Sequence, residues 1–114
     1  MTMQEYSIAV WRIVAAIPPG RVASFGLLAA LCGNPRMARR AARAVAGAPE
    51  GLPCHRVVRS GGRLVPEAVF GPGEQRAQLL AEGVTFRDNG CVDMNHHLWR
   101  MEEARSVLRA DKAD

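Results

Sequence analysis

The tripeptide Gly33-Asn34-Pro35, set between two short helical patterns, constrains the fold of this 114-residue chain more than any other feature. Before it, Ser24 is a good N-cap for a helix from Phe25 to Cys32, with Leu27, Leu28 and Leu31 as its apolar face. Gly33 suits the left-handed position after a helix end. Asn34 can cap the next helix, and Pro35 fits its first position, where no N–H is needed. That helix, from about Arg36 to Ala46, carries small apolar residues on one side: Ala38, Ala41, Ala42 and Val45. Arg36, Arg39, Arg40 and Arg43 recur at helical spacing on another. Two helices across so short a turn make a helix-turn-helix. The second helix of that motif enters a nucleic-acid groove, and an arginine stripe suits the flanking phosphates. The plainer alternative is a helical hairpin with a solvated charged face.

The rest of the chain predicts one domain that is mainly α. Residues 4–17 read as an amphipathic helix with Ile8, Trp11, Val14 and Ile17 inward. Pro18-Pro19-Gly20 stops it, and Arg21-Val22-Ala23 is a short extended link. After a loop from Gly47 to Pro53, Arg56 to Ser60 reads as a strand. Gly61-Gly62 reads as a tight turn and Arg63 to Val65 as a return strand, so a small β hairpin forms the wing of a winged helix-turn-helix. Gly71-Pro72-Gly73 opens a helix from Glu74 to Glu82, which Gly83 ends. Val84-Thr85-Phe86 reads as a last short strand, Arg87 to Gly90 as a turn, and Met101 to Ala110 as a tail helix. The expected division is a functional domain over 1–100 and a helical tail over 101–114.

Composition excludes several classes. The net charge is only +4, but seven arginines lie between Arg36 and Arg63 against one acid, Glu50. Such a basic stripe fits a polyanion. No apolar run reaches the ~20 residues that span a bilayer. The N-terminus has no signal-peptide pattern, so no membrane partner and a cytoplasmic location are expected. Cys32, Cys54 and Cys91 are odd in number and lack C-x-x-C spacing, which favours neither a disulfide framework nor a zinc site. Cys32 reads as a small buried apolar residue and Cys91 as an exposed one near a turn. His96-His97 has no companion ligands, so no metal is expected. Trp11 and Trp99 read as packing residues.

The run Leu52-Pro53-Cys54-His55-Arg56-Val57-Val58 carries the chemistry. A cysteine reacts as its thiolate, and a neighbouring base and cation help to form it. Pro53-Cys54-His55-Arg56-Val57 resembles the active-site motif of the O6-alkylguanine-DNA alkyltransferases. Leu28-Ala29-Ala30-Leu31, Gly33-Asn34-Pro35 and Ala38-Arg39 resemble the helix-turn-helix of that family, and Leu79-Leu80-Ala81-Glu82-Gly83 the segment with its buried glutamate. The resemblance covers about residues 6 to 86. It implies minor-groove binding to double-stranded DNA containing alkylated guanine. Arg39 would enter the stack where the damaged base leaves, and Phe25 would hold the position of the family's phosphate-pushing tyrosine. The thiolate of Cys54 would take the alkyl group once, with no cofactor. His55 would act as base toward Cys54, with Glu82 orienting the imidazole. Ala38 lets the helix sit close, and Arg36, Arg40, Arg43 and Ser60 complete the expected DNA contacts. Arg56 belongs to that set as the residue that ties down backbone beneath it.

Four departures from the family pattern bear on this expectation. The family's N-terminal domain is absent from this sequence. Ala48-Pro49-Glu50-Gly51 offers no asparagine where active members carry one. Phe25 lacks the tyrosine hydroxyl. Ser60 to Gly73 lacks the family's usual base-covering run. These features resemble the alkyltransferase-like proteins, short relatives that bind alkylated guanine without repairing it and pass it to nucleotide-excision repair. That branch usually replaces the cysteine, whereas this chain keeps Cys54. Two readings follow: a single-turnover methyltransferase acting as a monomer, or a lesion sensor that recruits nucleotide-excision repair proteins. A transcription factor or another enzyme on the same scaffold is a third.

Overall fold

A computed structural model describes residues 2–113. Thr2 starts α1 (Met3–Ala16) by accepting the Glu5 N–H at 3.1 Å. Its buried stripe is Tyr6, Val10, Ile13 and Val14, continued by Ile17. Ile8, expected inside, is 43% exposed. It lies two residues from Tyr6, about 200° around a helix of 3.6 residues per turn, and the Tyr6 ring rather than Ile8 sets the inward face. Trp11 is half-buried and packs as expected, its Nε1–H donating to the Ala44 carbonyl at 2.7 Å.

The paired helices form as predicted, with one change. Ser24 Oγ accepts the Leu27 N–H at 3.1 Å and starts α2 (Phe25–Leu31). Gly33 follows at φ 110°, where a side chain would be strained. Asn34 Oδ1 then accepts the Arg36 N–H at 3.0 Å, and Asn34 O accepts the Met37 N–H at 3.1 Å. These two bonds close a 3-10 turn over Pro35–Met37, so α3 begins at Ala38 and runs to Ala46. Ala41 and Ala44 face the core, while Ala38, Ala42 and Val45 stay half-buried.

The β component differs from the expected hairpin. The two strands, β1 (Ala23–Ser24) and β2 (Val57–Val58), pair in parallel, Ala23 with Val57 and Ser24 with Val58. Arg63 to Val65 forms no return strand. Its backbone is used elsewhere: the Arg63 carbonyl accepts the Arg59 N–H at 2.8 Å, and the Val65 N–H donates to the Gln75 side chain at 2.9 Å. The strand expected at Val84 to Phe86 reduces to one bridge, Phe86 with Val92.

Side chains alternate across a strand, so the small β pair serves two cores. Ala23 and Val57 join a core of α1, α2, α3, Trp99 and Ala104. Val22 and Val58 join Leu79, Val84 and Val92 in a second. Leu79 comes from α5 (Glu74–Ala81), close to its predicted span. Two short helices escaped the sequence reading, α4 (Glu67–Phe70) and α6 (Met94–His97). The tail helix α7 (Met101–Ala113) packs against the first core through Ala104 and Leu108. Among the described residues, no helix is long and apolar enough to cross a membrane.

Candidate active site

Between the loop and β2, residues Cys54–Arg56 form a 3-10 turn. The Cys54 N–H donates to Leu52 O at 2.8 Å and the Arg56 N–H to Pro53 O at 3.0 Å, which closes one tight turn around the three residues. Cys54 opens onto a cavity of about 950 Å³. One wall is the small face of α3 (Ala38, Ala42, Val45), with Arg39 and Phe25 also lining the space. Another wall is Val65, Pro66 and the α4 residues Val69 and Phe70. Ala38 and Ala42 help to leave this space open, because each projects only a methyl group.

Behind the cysteine, three charged or polar side chains interlock. Glu82 caps the C-terminal end of α5. Its carboxylate accepts Arg56 Nε–H at 3.0 Å and Arg56 Nη2–H at 2.6 Å. Arg56 Nη1–H donates to the Ile17 carbonyl at 2.7 Å. His55 Nε2 lies 3.0 Å from the same carboxylate. All three side chains are mostly buried, 14% exposed for His55 and Arg56 and 17% for Glu82. The Arg56 hydrogen bonds, aided by His55 and opposed by burial, hold the Glu82 carboxyl down to about 2. Glu82 is therefore an anion near neutral pH and can only accept. That puts the hydrogen of a neutral His55 ring on Nε2 and leaves Nδ1 as the basic nitrogen. Burial pushes the Cys54 thiol up.

The structure thus brings His55 and Glu82 into contact beside Cys54. Among the residues expected on DNA, Arg36, Arg39 and Arg43 are exposed, as is Ser60 on the cavity rim. Phe25 and Ala38 are half-buried at the cavity. Two arginines turn inward instead. Arg56 spends its donors on Glu82 and Ile17, so it braces the site rather than facing DNA. Arg40 lies over the Tyr6 ring, 4.6 Å from its centroid, and leaves the exposed stripe. A cation finds the negative face of an aromatic ring there. Periodicity could not show this, since the partner is on α1.

Sequence reasoning missed several lining residues. Arg59 lines the cavity with its Nε–H on Leu64 O at 2.8 Å. Arg63, Glu50 and the two α4 residues also border it. No spacing signal marks them, because they converge from loops and a one-turn helix. His96 and His97 are engaged within the chain: His96 with Asp93 at 2.6 Å, and His97 with Gly20 O at 2.9 Å and Thr85 N at 3.0 Å. Cys32 is half-buried against the first core, and Cys91 is half-buried rather than exposed.

Comparison with known proteins agrees with this geometry. Residues 5–84 match the family model "6-O-methylguanine DNA methyltransferase, DNA binding domain". A DNA base-flipping protein of Escherichia coli K12 is 44% identical over 94 residues, which cover 79% of this chain and 70% of that protein. A methylated-DNA–protein-cysteine methyltransferase of Cricetulus griseus is 35% identical over 91 residues, covering 75% of this chain but 42% of the relative. Among solved structures, S. pombe Atl1 in complex with damaged DNA containing O6-carboxymethylguanine matches with a TM-score of 0.75 at 27% identity, covering 88% of this chain and 99% of that one. Mycobacterium tuberculosis O6-methylguanine methyltransferase matches with a TM-score of 0.60 at 32% identity, covering 68% and 48%. With its cysteine turn, its paired helices and most of its length matched, the chain belongs to the 6-O-methylguanine DNA methyltransferase family through that family's DNA-binding domain.

Proposed function

We propose that the chain binds duplex DNA through α2 and α3, extrudes an O6-alkylguanine into the cavity, and takes the alkyl group onto Cys54 in a single turnover. One observation carries this reading: Cys54 opens onto a cavity bordered by Arg39 and the small face of α3, with the His55–Glu82–Arg56 set behind it. The O6 substituent is inside the duplex, so a protein must extrude the base to reach it. Exposed Arg36 and Arg43 neutralise phosphates. Arg39, exposed at the cavity edge, fills the gap in the stack. Phe25 presses the backbone at the same edge by shape alone.

The transfer step balances. The thiol proton of Cys54 passes to His55 Nδ1, by way of a solvent molecule, and Glu82 stabilises the imidazolium. The Cys54 Sγ–carbon bond forms as the carbon–O6 bond breaks, with the electron pair leaving on guanine. The proton held by His55 then returns to guanine. The thioether cannot be reversed by the same residues, so each chain reacts once.

A second reading is a lesion sensor that binds the flipped base and passes it to nucleotide-excision repair. It is supported by the raised pKa of Cys54 and by similarity to Atl1 across nearly the whole of that chain. Both readings require base extrusion. A duplex with O6-methylguanine opposite a fluorescent base analogue tests this, because the analogue brightens when its partner leaves the stack. Brightening with wild type and with Cys54→Ser, and less with Phe25→Ala, is the expected result. No brightening at saturating protein would overturn both readings.

A further inference from the structure

Gln75 is the sole buried amide side chain among the described residues, where no charged side chain is buried as far; it is 4% exposed in the first turn of α5. It belongs to none of the groups assigned above, yet its amide makes three bonds to backbone. Oε1 accepts the Val65 N–H at 2.9 Å. Nε2 donates to His55 O at 3.0 Å and to Val57 O at 2.9 Å. The backbone partners fix the amide's orientation, since an N–H needs the oxygen and two carbonyls need the nitrogen.

These partners come from two separate segments of chain that meet at the cavity. The His55 and Val57 carbonyls flank Arg56 and end the turn that presents Cys54. Val65 begins a second lining wall, which continues through Pro66 to Val69 and Phe70. That wall has no ladder bonding to hold it, because no return strand forms. We propose that Gln75 is a positioning residue that fixes the Val65–Phe70 wall against the Cys54–His55 turn and so sets how well the cavity accepts an extruded base. The second half of this proposal rests on the base-flipping reading. No other side chain of similar size replaces the amide. Glutamate keeps the acceptor but turns a negative charge toward two carbonyl oxygens, and leucine removes all three bonds.

The test uses Gln75→Glu and Gln75→Leu in the full chain, with thermal unfolding to confirm that each folds. Should the leucine variant fail to fold, the glutamate variant carries the test. Without DNA, amide hydrogen exchange at Val65 should lose protection in the variants while α1 amides stay protected. Unchanged protection at Val65 would overturn the coupling. With DNA, wild type and variants are titrated at fixed salt on a duplex containing O6-methylguanine and on its undamaged counterpart. The ratio of the two affinities should fall about tenfold in the variants, the scale of one to two lost hydrogen bonds. Affinity for undamaged duplex should not change, since the exposed arginines are untouched. Acidification should restore part of the ratio in Gln75→Glu, where a protonated carboxyl regains one donor, and none in Gln75→Leu. Equal losses on both duplexes, or no loss, would overturn the positioning role. A wild type without lesion preference would instead refute the base-flipping reading, and with it the second half of the proposal, while the exchange result would still decide the first half.

Discussion

Arg56 shows how one side chain sets the chemistry of its neighbours. It holds Glu82 with two short bonds and anchors the turn to Ile17. Because Glu82 titrates near 2 when folded, below its ordinary value, the native state favours its anion. That stability is fully present above the unfolded carboxylate pKa and is lost as pH falls toward about 2. In Arg56→Met, Glu82 keeps only His55 as a polar partner. The variant should lose about 2–3 kcal/mol at neutral pH, the scale of hydrogen bonds to a charged group left unmade. Its acid unfolding transition should also move to higher pH. Denaturant titrations across pH 2 to 7 read both effects, and an unchanged acid transition would show that Arg56 does not hold the carboxylate. At this scale the sequence was informative where residues act in a local motif. Cys54, His55 and Glu82 were legible from a pentapeptide and a helix end. The inward turn of Arg40 was not, because its partner Tyr6 lies on α1, whereas Arg56 ties down backbone, at Ile17, as expected.

Among the elements, the longer helices and the strand around Val57 were legible, whereas the one-turn helices α4 and α6 and the strand pairing were not. Caps at Thr2, Ser24 and Asn34 act locally, and each makes its bond within three residues. The β pair joins segments more than thirty residues apart through two residues each, which no local alternation encodes. Gly61-Gly62 reads as a hairpin turn because nothing in sequence reveals what lies above it. Gly62 has φ 86°, and a Cβ there would meet Val92 O at 2.7 Å. Its own carbonyl accepts the Val92 N–H at 2.9 Å. Gly62→Ala therefore faces both a left-handed backbone and a backbone clash. It should cost about 2–3 kcal/mol. Gly61, with φ 74° but open space around it, should cost less on the same substitution, by about 1–2 kcal/mol. Thermal melts of the two alanine variants rank them, and equal melting points would contradict the packing of the second core around Val92.

Across the whole molecule, charge and cavity meet at Arg39, which is exposed and lines the cavity. Arg36, Arg39 and Arg43 are exposed on or beside α3, while the small residues of α3 line the cavity. Charge and recognition should thus separate experimentally. Arg36→Gln and Arg43→Gln should weaken binding to damaged and undamaged duplex alike, each lowering the salt slope of log K by about one. Arg39→Ala should weaken lesion binding more, by roughly tenfold, and cut into the preference for damaged DNA. Titrations on both duplexes at three salt concentrations distinguish these outcomes, and a uniform loss for Arg39→Ala would remove it from the stack-filling role. The central claim is that Cys54 receives the alkyl group. It is tested most directly by intact-protein mass spectrometry after incubation with duplex DNA containing one O6-methylguanine, with Cys54→Ser as control. The account predicts a gain of one methyl group in place of one hydrogen, mapped to Cys54 and absent from the control. Saturating lesion binding with no mass gain would contradict it and identify the chain as a sensor whose thiol is not productively placed.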